Sequence, residues 1–281
     1  MIYPETTQSP EEVATHYNSL DQYYRKLWGE HLHHGFWKSG HESVEEATEE
    51  LIRLVAEAGK ITENSLVCDV GCGYGGTSRF LVEHYKAHLT SLTLSEAQLD
   101  YAKAQTPDTD NPNYLLSDFL QSELPSDHFD VVLSIESSEH MVDKKKFFHE
   151  VTRILKPGGR FVTCAWLAKN SPKKWEVKHF LEPICREGRL PSMGSELDYR
   201  EMMVNAGLQE IAFRDISNSV KKTWAICIGR ASKAFFSDKE LRSYLLSRSS
   251  SDRVFAKTLL RLWGAYELKS MRYGLFTASK Q

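Results

Sequence analysis

The stretch SIESSEHM at 134–141 sets two carboxylates and an imidazole, Glu136, Glu139 and His140, directly after the apolar run FDVVLSI at 129–135. These groups can do general acid–base work. An imidazole with a pKa near ~6.5 exchanges protons at neutral pH, and a carboxylate can orient it or line a pocket. The same residues also suit a plain turn, with Glu139 facing water and His140 capping the entry to a helix at Asp143. A second stretch, DVGCGYGG at 69–76, joins an apolar run to a helical pattern through closely spaced glycines. Glycines allow a sharp turn and a close ligand approach, so strand, G-x-G-x-G and helix together fit nucleotide binding at a strand's carboxyl end. The spacing alone admits NAD, and with it an oxidoreductase, because G-C-G-Y-G-G from Gly71 also satisfies G-x-G-x-x-G. Asp69 favours another ligand. A carboxylate beside a pyrophosphate is unfavourable, whereas beside an ammonium it is favourable, and S-adenosylmethionine carries an ammonium.

The elements that must position these residues alternate. Runs at 66–70, 88–94, 113–117, 129–135 and 160–166 read as strands, with helices at 76–86, 95–105 and 143–159 between them. In the last helix Asp143 caps the start, Phe147, Phe148, Val151, Ile154 and Leu155 form the apolar stripe, and Pro157-Gly158-Gly159 ends it. Such alternation predicts an α/β, doubly wound, mostly parallel sheet. Later strands are expected at 208–216 and 272–279. Ahead of the sheet, Ser9-Pro10 starts a helix over 10–28 on Val13, Tyr17, Leu20, Tyr24, Leu27 and Trp28, and a second helix spans 44–57. Segments 167–207 and 217–270 read as helical and irregular. Ser237, Asp238 and Glu240 form a capping box there, and Phe255, Leu259, Leu262, Trp263 and Tyr266 form an apolar face.

Composition narrows the class. With 281 residues, 41% of them hydrophobic and a net charge of −3, the chain suits a core domain with attachments and gives no electrostatic reason to expect nucleic acid. The runs KKK at 144–146 and KK at 173–174 and 221–222 read as solvated faces. No apolar run reaches the ~18 residues of a membrane span, and the N-terminus lacks the pattern of a secretory signal. Five scattered cysteines read as buried reduced thiols of a cytoplasmic protein. His31, His33 and His34 lack a partner signature, so no metal is expected.

The order CDVGCGYGG, LTLSEAQ, FDVVLSIESSEHM and RILKPGGRFV resembles class I S-adenosylmethionine-dependent methyltransferases, and most of all the tocopherol (γ-tocopherol) O-methyltransferase type. SIESSEHMVDK departs from that type's usual motif at Ile135, Ser138 and Val142. The resemblance implies a Rossmann-like sheet of seven strands with N-terminal helices and a helical acceptor lid. It implies a cap at 1–60, a cofactor-binding core at 61–168, and lid helices with the last two strands at 169–281. It places S-adenosylmethionine against Asp69, Gly71, Cys72, Gly73 and Gly75. It puts the ribose near Thr93, Leu94 and Gln98, although Ser95 and Gln98 also make a capping box, and the adenine near Asp118 and Phe119, although Asp118 also suits a turn. Tyr17 and the HHGFW stretch through Trp37 would close over the cofactor. Glu136 would line the cofactor or acceptor pocket. His140 would be the base, with Glu139 orienting it or facing water.

The implied acceptor is a small molecule, a phenol-like or quinol-like natural product methylated at carbon, oxygen or nitrogen. A small amine is the alternative, as is a related fold that binds the cofactor without transferring its methyl. Trp166, Trp175, Phe180, Met193, Trp224 and Trp263 would supply an apolar wall.

Overall fold

The computed structural model describes residues 1–5, 8–15, 17–18, 30–106, 109–237, 239, 242 and 254–281, with the side chains of 254–256 excepted. Leu20, Tyr24, Leu27, Trp28, Asp238, Glu240 and the side chain of Phe255 lie outside the described residues. The seven strands form one sheet in the order β3-β2-β1-β4-β5-β7-β6. They are β1 (Leu66–Val70), β2 (His88–Thr93), β3 (Asn113–Leu116), β4 (Phe129–Ile135), β5 (Leu155–Ala168), β6 (Leu208–Asp215) and β7 (Met271–Lys280). β7 runs antiparallel between β5 and β6, and the pairs from β3 through to β5 are parallel.

Alternate residues of each strand point to opposite faces, so consecutive residues feed different cores. Val67, Val131 and Val162 pack on one side with Leu51, Ile52 and Val55 of α1 (Val44–Gly59) and Phe80 and Leu81 of α2 (Gly76–Tyr85). Cys68, Val132 and Phe161 pack on the other side with Phe147, Phe148 and Val151 of α4 (Lys144–Ile154), which follows α3 (Glu96–Ala104) in the chain. Tyr199 and Met203 of α5 (Glu196–Asn205) complete that face. Helices α6 (Lys222–Ser237) and α7 (Val254–Glu267) pack with a helical run at 174–187 on the first side. Among the described residues no helix is long and apolar enough to cross a membrane.

Most expected elements appear within a few residues of their expected limits, and two local readings change. α4 starts on its Asp143 cap, whose Oδ1 accepts from Lys146 N–H at 2.9 Å, but ends at Ile154. Pro157-Gly158-Gly159 lies inside β5, where Leu155 already pairs with Phe129 before the register shifts. The apolar end of the helix is thus used as a bulged strand start. Lys144 is 4% exposed, not solvated, and its ammonium donates to the carbonyls of Glu139 (2.9 Å) and Met141 (3.1 Å). Ser237 belongs to α6, and Asp238 and Glu240 of the expected capping box lie outside the described residues. Pro10 does start a helix, and Ser9 and Glu12 make the reciprocal bonds of a capping box (2.8 and 3.2 Å). All five cysteines are free and buried.

Candidate active site

Strands β1 and β4 are neighbours although three strands apart in connectivity, and this is where the sheet's strand order reverses. Their carboxyl ends deliver the glycine turn and SIESSEHM side by side. Ser137 stitches the two loops together: its hydroxyl donates to the Val70 carbonyl and lies 2.7 Å from Ser134 Oγ. Gly71 has φ +83°, and a Cβ there would stand 2.3 Å from Ser137 Cβ. Gly71→Ala is therefore expected to lower stability by about 2–4 kcal/mol, from a left-handed backbone and a clash between packed loops, measured by urea denaturation.

A cavity of about 420 Å³ opens over these loops. Asp69, Gly71, Cys72 and Gly73 line it, as do Thr93, Leu94 and Gln98. So do Asp118, Phe119, Tyr17, Glu136, Glu139 and His140. Gly75 and Trp37 do not. Gly75 (φ +75°) starts α2, and a Cβ there would meet the Tyr114 hydroxyl at 2.5 Å, so it serves the turn's packing. Trp37 is buried away from the cavity, with its indole donating to the Glu42 carbonyl at 3.2 Å. Of the six residues expected to wall the acceptor, Trp166 and Trp224 line the cavity. Trp175 and Trp263 are 44% and 45% exposed, Met193 belongs to the core, and Phe180 is half-buried against it.

The three acid–base groups part company. Glu136 is a buried anchor. Its Oε1 accepts from His34 N–H (2.7 Å), His34 Nδ1 (2.9 Å) and the Tyr273 hydroxyl (2.7 Å), and its Oε2 from Trp166 Nε1 (2.8 Å). Burial alone pushes its carboxyl up, but the His34 ring and these hydrogen bonds outweigh burial and hold it at about 2. Glu139 is buried rather than facing water, and its carboxylate bonds groups other than His140. It is 2% exposed, accepts from the Trp166 backbone N–H and lies 3.3 Å from Ser138 Oγ. Burial raises its carboxyl to about 8. His140 accepts at Nε2 from the Tyr17 hydroxyl at 3.0 Å, and its Nδ1 donates to the Arg189 carbonyl at 3.3 Å.

The raised Glu139 pKa makes stability depend on pH. The folded state holds this proton up to about pH 8, whereas an unfolded glutamate releases it near 4.5. Stability therefore falls as pH rises between those values. Glu139→Gln removes that slope, so denaturant melts at pH 5.5, 7 and 8 are expected to show the variant gaining on the parent by on the order of a kcal/mol or more across the series.

The glycine turn, the reversed strand order and the acid–base cluster carry one further observation. The family profile described as mycolic acid cyclopropane synthetase matches residues 4–236. The chain belongs to this family of S-adenosylmethionine-dependent methyltransferases. It is 31% identical over 290 residues to the chloroplastic tocopherol O-methyltransferase of Arabidopsis thaliana, which covers 95% of this chain and 81% of that protein. It is 28% identical over 279 residues to the 27-O-demethylrifamycin SV methyltransferase of Amycolatopsis mediterranei, covering 98% of this chain and 99% of that one. Its fold matches mycolic acid cyclopropane synthase CmaA1, complexed with SAH and CTAB, at a TM-score of 0.84 and 19% identity, over 98% of this chain and 100% of the other.

The cofactor of this methyltransferase is S-adenosylmethionine, and the cavity's chemistry fits it. Asp69 is a buried carboxylate at the glycine turn. Burial pushes it up to about 6 although Ser78 Oγ donates to it at 2.6 Å, so a bound ammonium would complete its environment. Thr93 Oγ1 donates to Gln98 Oε1 at 2.8 Å, while Ser95 Oγ accepts from Gln98 N–H at 3.2 Å. Only half the expected capping box forms, and the Gln98 side chain turns to Thr93 at the cavity. Asp118 makes the turn contacts, with Oδ1 accepting from Leu120 N–H (2.9 Å) and Oδ2 from Gln121 Nε2 (3.0 Å), while also lining the cavity.

Sequence reasoning missed several groups that line or support the methyltransferase's cavity. His34 was expected, within HHGFW, to close over the cofactor, and not to anchor Glu136. Tyr273 stands 137 positions from Glu136, and no local pattern announces their bond. Arg189 and Leu190 line the cavity from the end of the helical run. That run is tied to α7 by Glu187, which takes the Thr258 hydroxyl at 2.7 Å and pairs with Arg261.

Proposed function

We propose that this methyltransferase acts on a hydrophobic, aromatic acceptor bearing a hydroxyl, of the phenol or quinol kind, and that Tyr17 and His140 take up the proton released on transfer. The observation that carries this reading is the Tyr17–His140 hydrogen bond, on the same cavity as the indoles of Trp166 and Trp224. The names of two relatives support it, since tocopherol and rifamycin are large organic acceptors, while relatives named for glycine and sarcosine N-methylation keep the small amine as the alternative.

The cofactor supplies a methyl already activated on a sulfonium. The chain's task is to align the acceptor and receive its proton. The Arg189 carbonyl keeps the proton on His140 Nδ1, so Nε2 presents its lone pair to the Tyr17 hydroxyl. An acceptor hydroxyl that reaches Tyr17 passes its proton through the phenol to His140, or displaces the phenol and donates directly. Asp69, Gly71, Cys72 and Gly73 would hold the amino-acid end of the cofactor. Thr93, Leu94 and Gln98 would hold the ribose, and Asp118 and Phe119 the adenine. Residues 1–60 would act as a cap through Val13, Tyr17 and His34, 61–168 as the cofactor core, and 169–281 as the source of the acceptor wall.

The test is S-adenosylhomocysteine release with a panel of alkylated phenols, hydroquinones and small amines. Turnover on phenols or hydroquinones is expected. Turnover confined to sarcosine-like amines would replace this reading with small-amine N-methylation.

A further inference from the structure

Three polar atoms beside the aromatic wall are buried and make no hydrogen bond: His34 Nε2, Trp224 Nε1 and Tyr266 Oη. They sit on one group of rings, with centroids 4.9 Å apart for His34 and Trp224, 5.8 Å for His34 and Tyr266, and 6.5 Å for Trp224 and Tyr266. His34 and Trp224 line the cavity. Buried polar groups in folded proteins are normally paired, so three together point to a guest.

Their hydrogen-bonding characters are fixed by their surroundings. Glu136 can only accept, so in the neutral imidazole the His34 proton sits on Nδ1 and Nε2 offers a lone pair. An indole N–H can only donate. Burial drives the Tyr266 phenol well above its ordinary pKa, which keeps its proton in place. Trp224 counters that rise in part as a weak, long-range donor to the phenol, which leaves neither atom with a partner at normal hydrogen-bond geometry. The set is therefore one acceptor, one donor and one hydroxyl.

We propose that His34 Nε2, Trp224 Nε1 and Tyr266 Oη form a recognition notch for a hydroxyl of the methyl acceptor, which donates to the imidazole and accepts from the indole or the phenol. An ether or ketone has no proton for His34, and an ammonium has no lone pair for the indole, so a hydroxyl is the complementary group. His34 and Trp224 are then specificity residues that touch the acceptor, and Glu136 is a positioning residue that sets the imidazole tautomer. The inference rests on the hydroxyl-bearing acceptor of the preceding section. It names the groups that read that hydroxyl.

A site built to bond a hydroxyl discriminates strongly against the analogue lacking it. The apolar wall by itself would favour the more hydrophobic ligand. Calorimetric binding of 4-propylphenol and propylbenzene to the full chain, with no methyl donor present, separates the two effects. The phenol is expected to bind at least about tenfold more tightly than the hydrocarbon. Tyr266→Phe and Trp224→Phe should each reduce that preference by about threefold or more, with propylbenzene affinity in the isosteric Tyr266→Phe variant unchanged. The indole N–H resonance lost in Trp224→Phe should shift in the parent on adding the phenol and not on adding the hydrocarbon. Equal affinity for the two ligands, or a preference that survives both substitutions, overturns the notch. Because no turnover is measured, the phenol preference can hold even where the panel shows transfer to amines alone, so the two readings fail separately.

Discussion

Glu136→Ala will lose about 3–5 kcal/mol of stability, the largest effect expected of any single substitution in the site. The carboxylate has two oxygens and accepts four hydrogen bonds, from two groups of His34, the Trp166 indole and the Tyr273 hydroxyl. Alanine leaves all four donors buried and unpaired, and a buried donor without a partner carries the full cost of its desolvation. The backbone shows how strongly the position is held: Glu136 sits at φ +54°, a conformation that costs a residue with a side chain about 1–3 kcal/mol. Four converging donors offset that strain. Glu136→Gln keeps the shape but turns an N–H₂ toward donors, so an intermediate loss is expected. Tyr273→Phe, which removes one donor, should cost only about 1 kcal/mol. Guanidinium denaturation of the three variants checks the ranking. An alanine variant as stable as the parent would mean that the four bonds do not hold the cavity together.

His140→Ala will cut turnover by about 10²–10⁴-fold and leave S-adenosylhomocysteine affinity within about twofold. The imidazole's Nε2 faces Tyr17, while the glycine turn and the Thr93–Gln98 pair lie on other strands' ends. Removing the ring should therefore spare the cofactor's contacts. Tyr17→Phe keeps the aromatic ring but removes the hydroxyl that bonds His140, and a smaller fall in kcat is expected. Steady-state kinetics with an accepted phenol, beside calorimetry with S-adenosylhomocysteine, separates transfer from binding. Unchanged turnover in His140→Ala removes the imidazole from the proton's path. The expected division of labour follows from the hydrogen bonds: Glu136 is saturated with donors and at about 2 is too weak a base. Glu139, raised to about 8, holds its proton at neutral pH.

The three acid–base residues were legible as a group because they follow one strand, and a strand's exit is a local feature. Their separate roles were not legible, since these depend on partners from distant parts of the chain. Glu139 reads as a solvent-facing residue until Trp166 of β5 is seen to cover it. Lys144 heads a run of three lysines and reads as surface, yet it folds beneath the turn and donates to two of its carbonyls, while Lys145 and Lys146 remain exposed. Trp175 and Trp224 have the same composition value for an aromatic wall, and packing alone sends one to the surface and the other to the cavity.

Strand and helix identities and the glycine turn with its acid follow from the sequence by itself, because periodicity and turn chemistry act over a few residues, whereas the adjacency of the two loops at the sheet's edge came only with the family resemblance. Tertiary structure decided that LKPGG starts a strand rather than ending the helix, since Leu155 gains a partner in Phe129 that no local preference supplies. It also decided that SIESSEHM holds one anchor, one buried acid and one imidazole open to Tyr17. Burial and hydrogen-bond saturation set the protonation of each group, and both are properties of neighbours brought from 100 or more positions away, such as His34, Tyr17 and Tyr273.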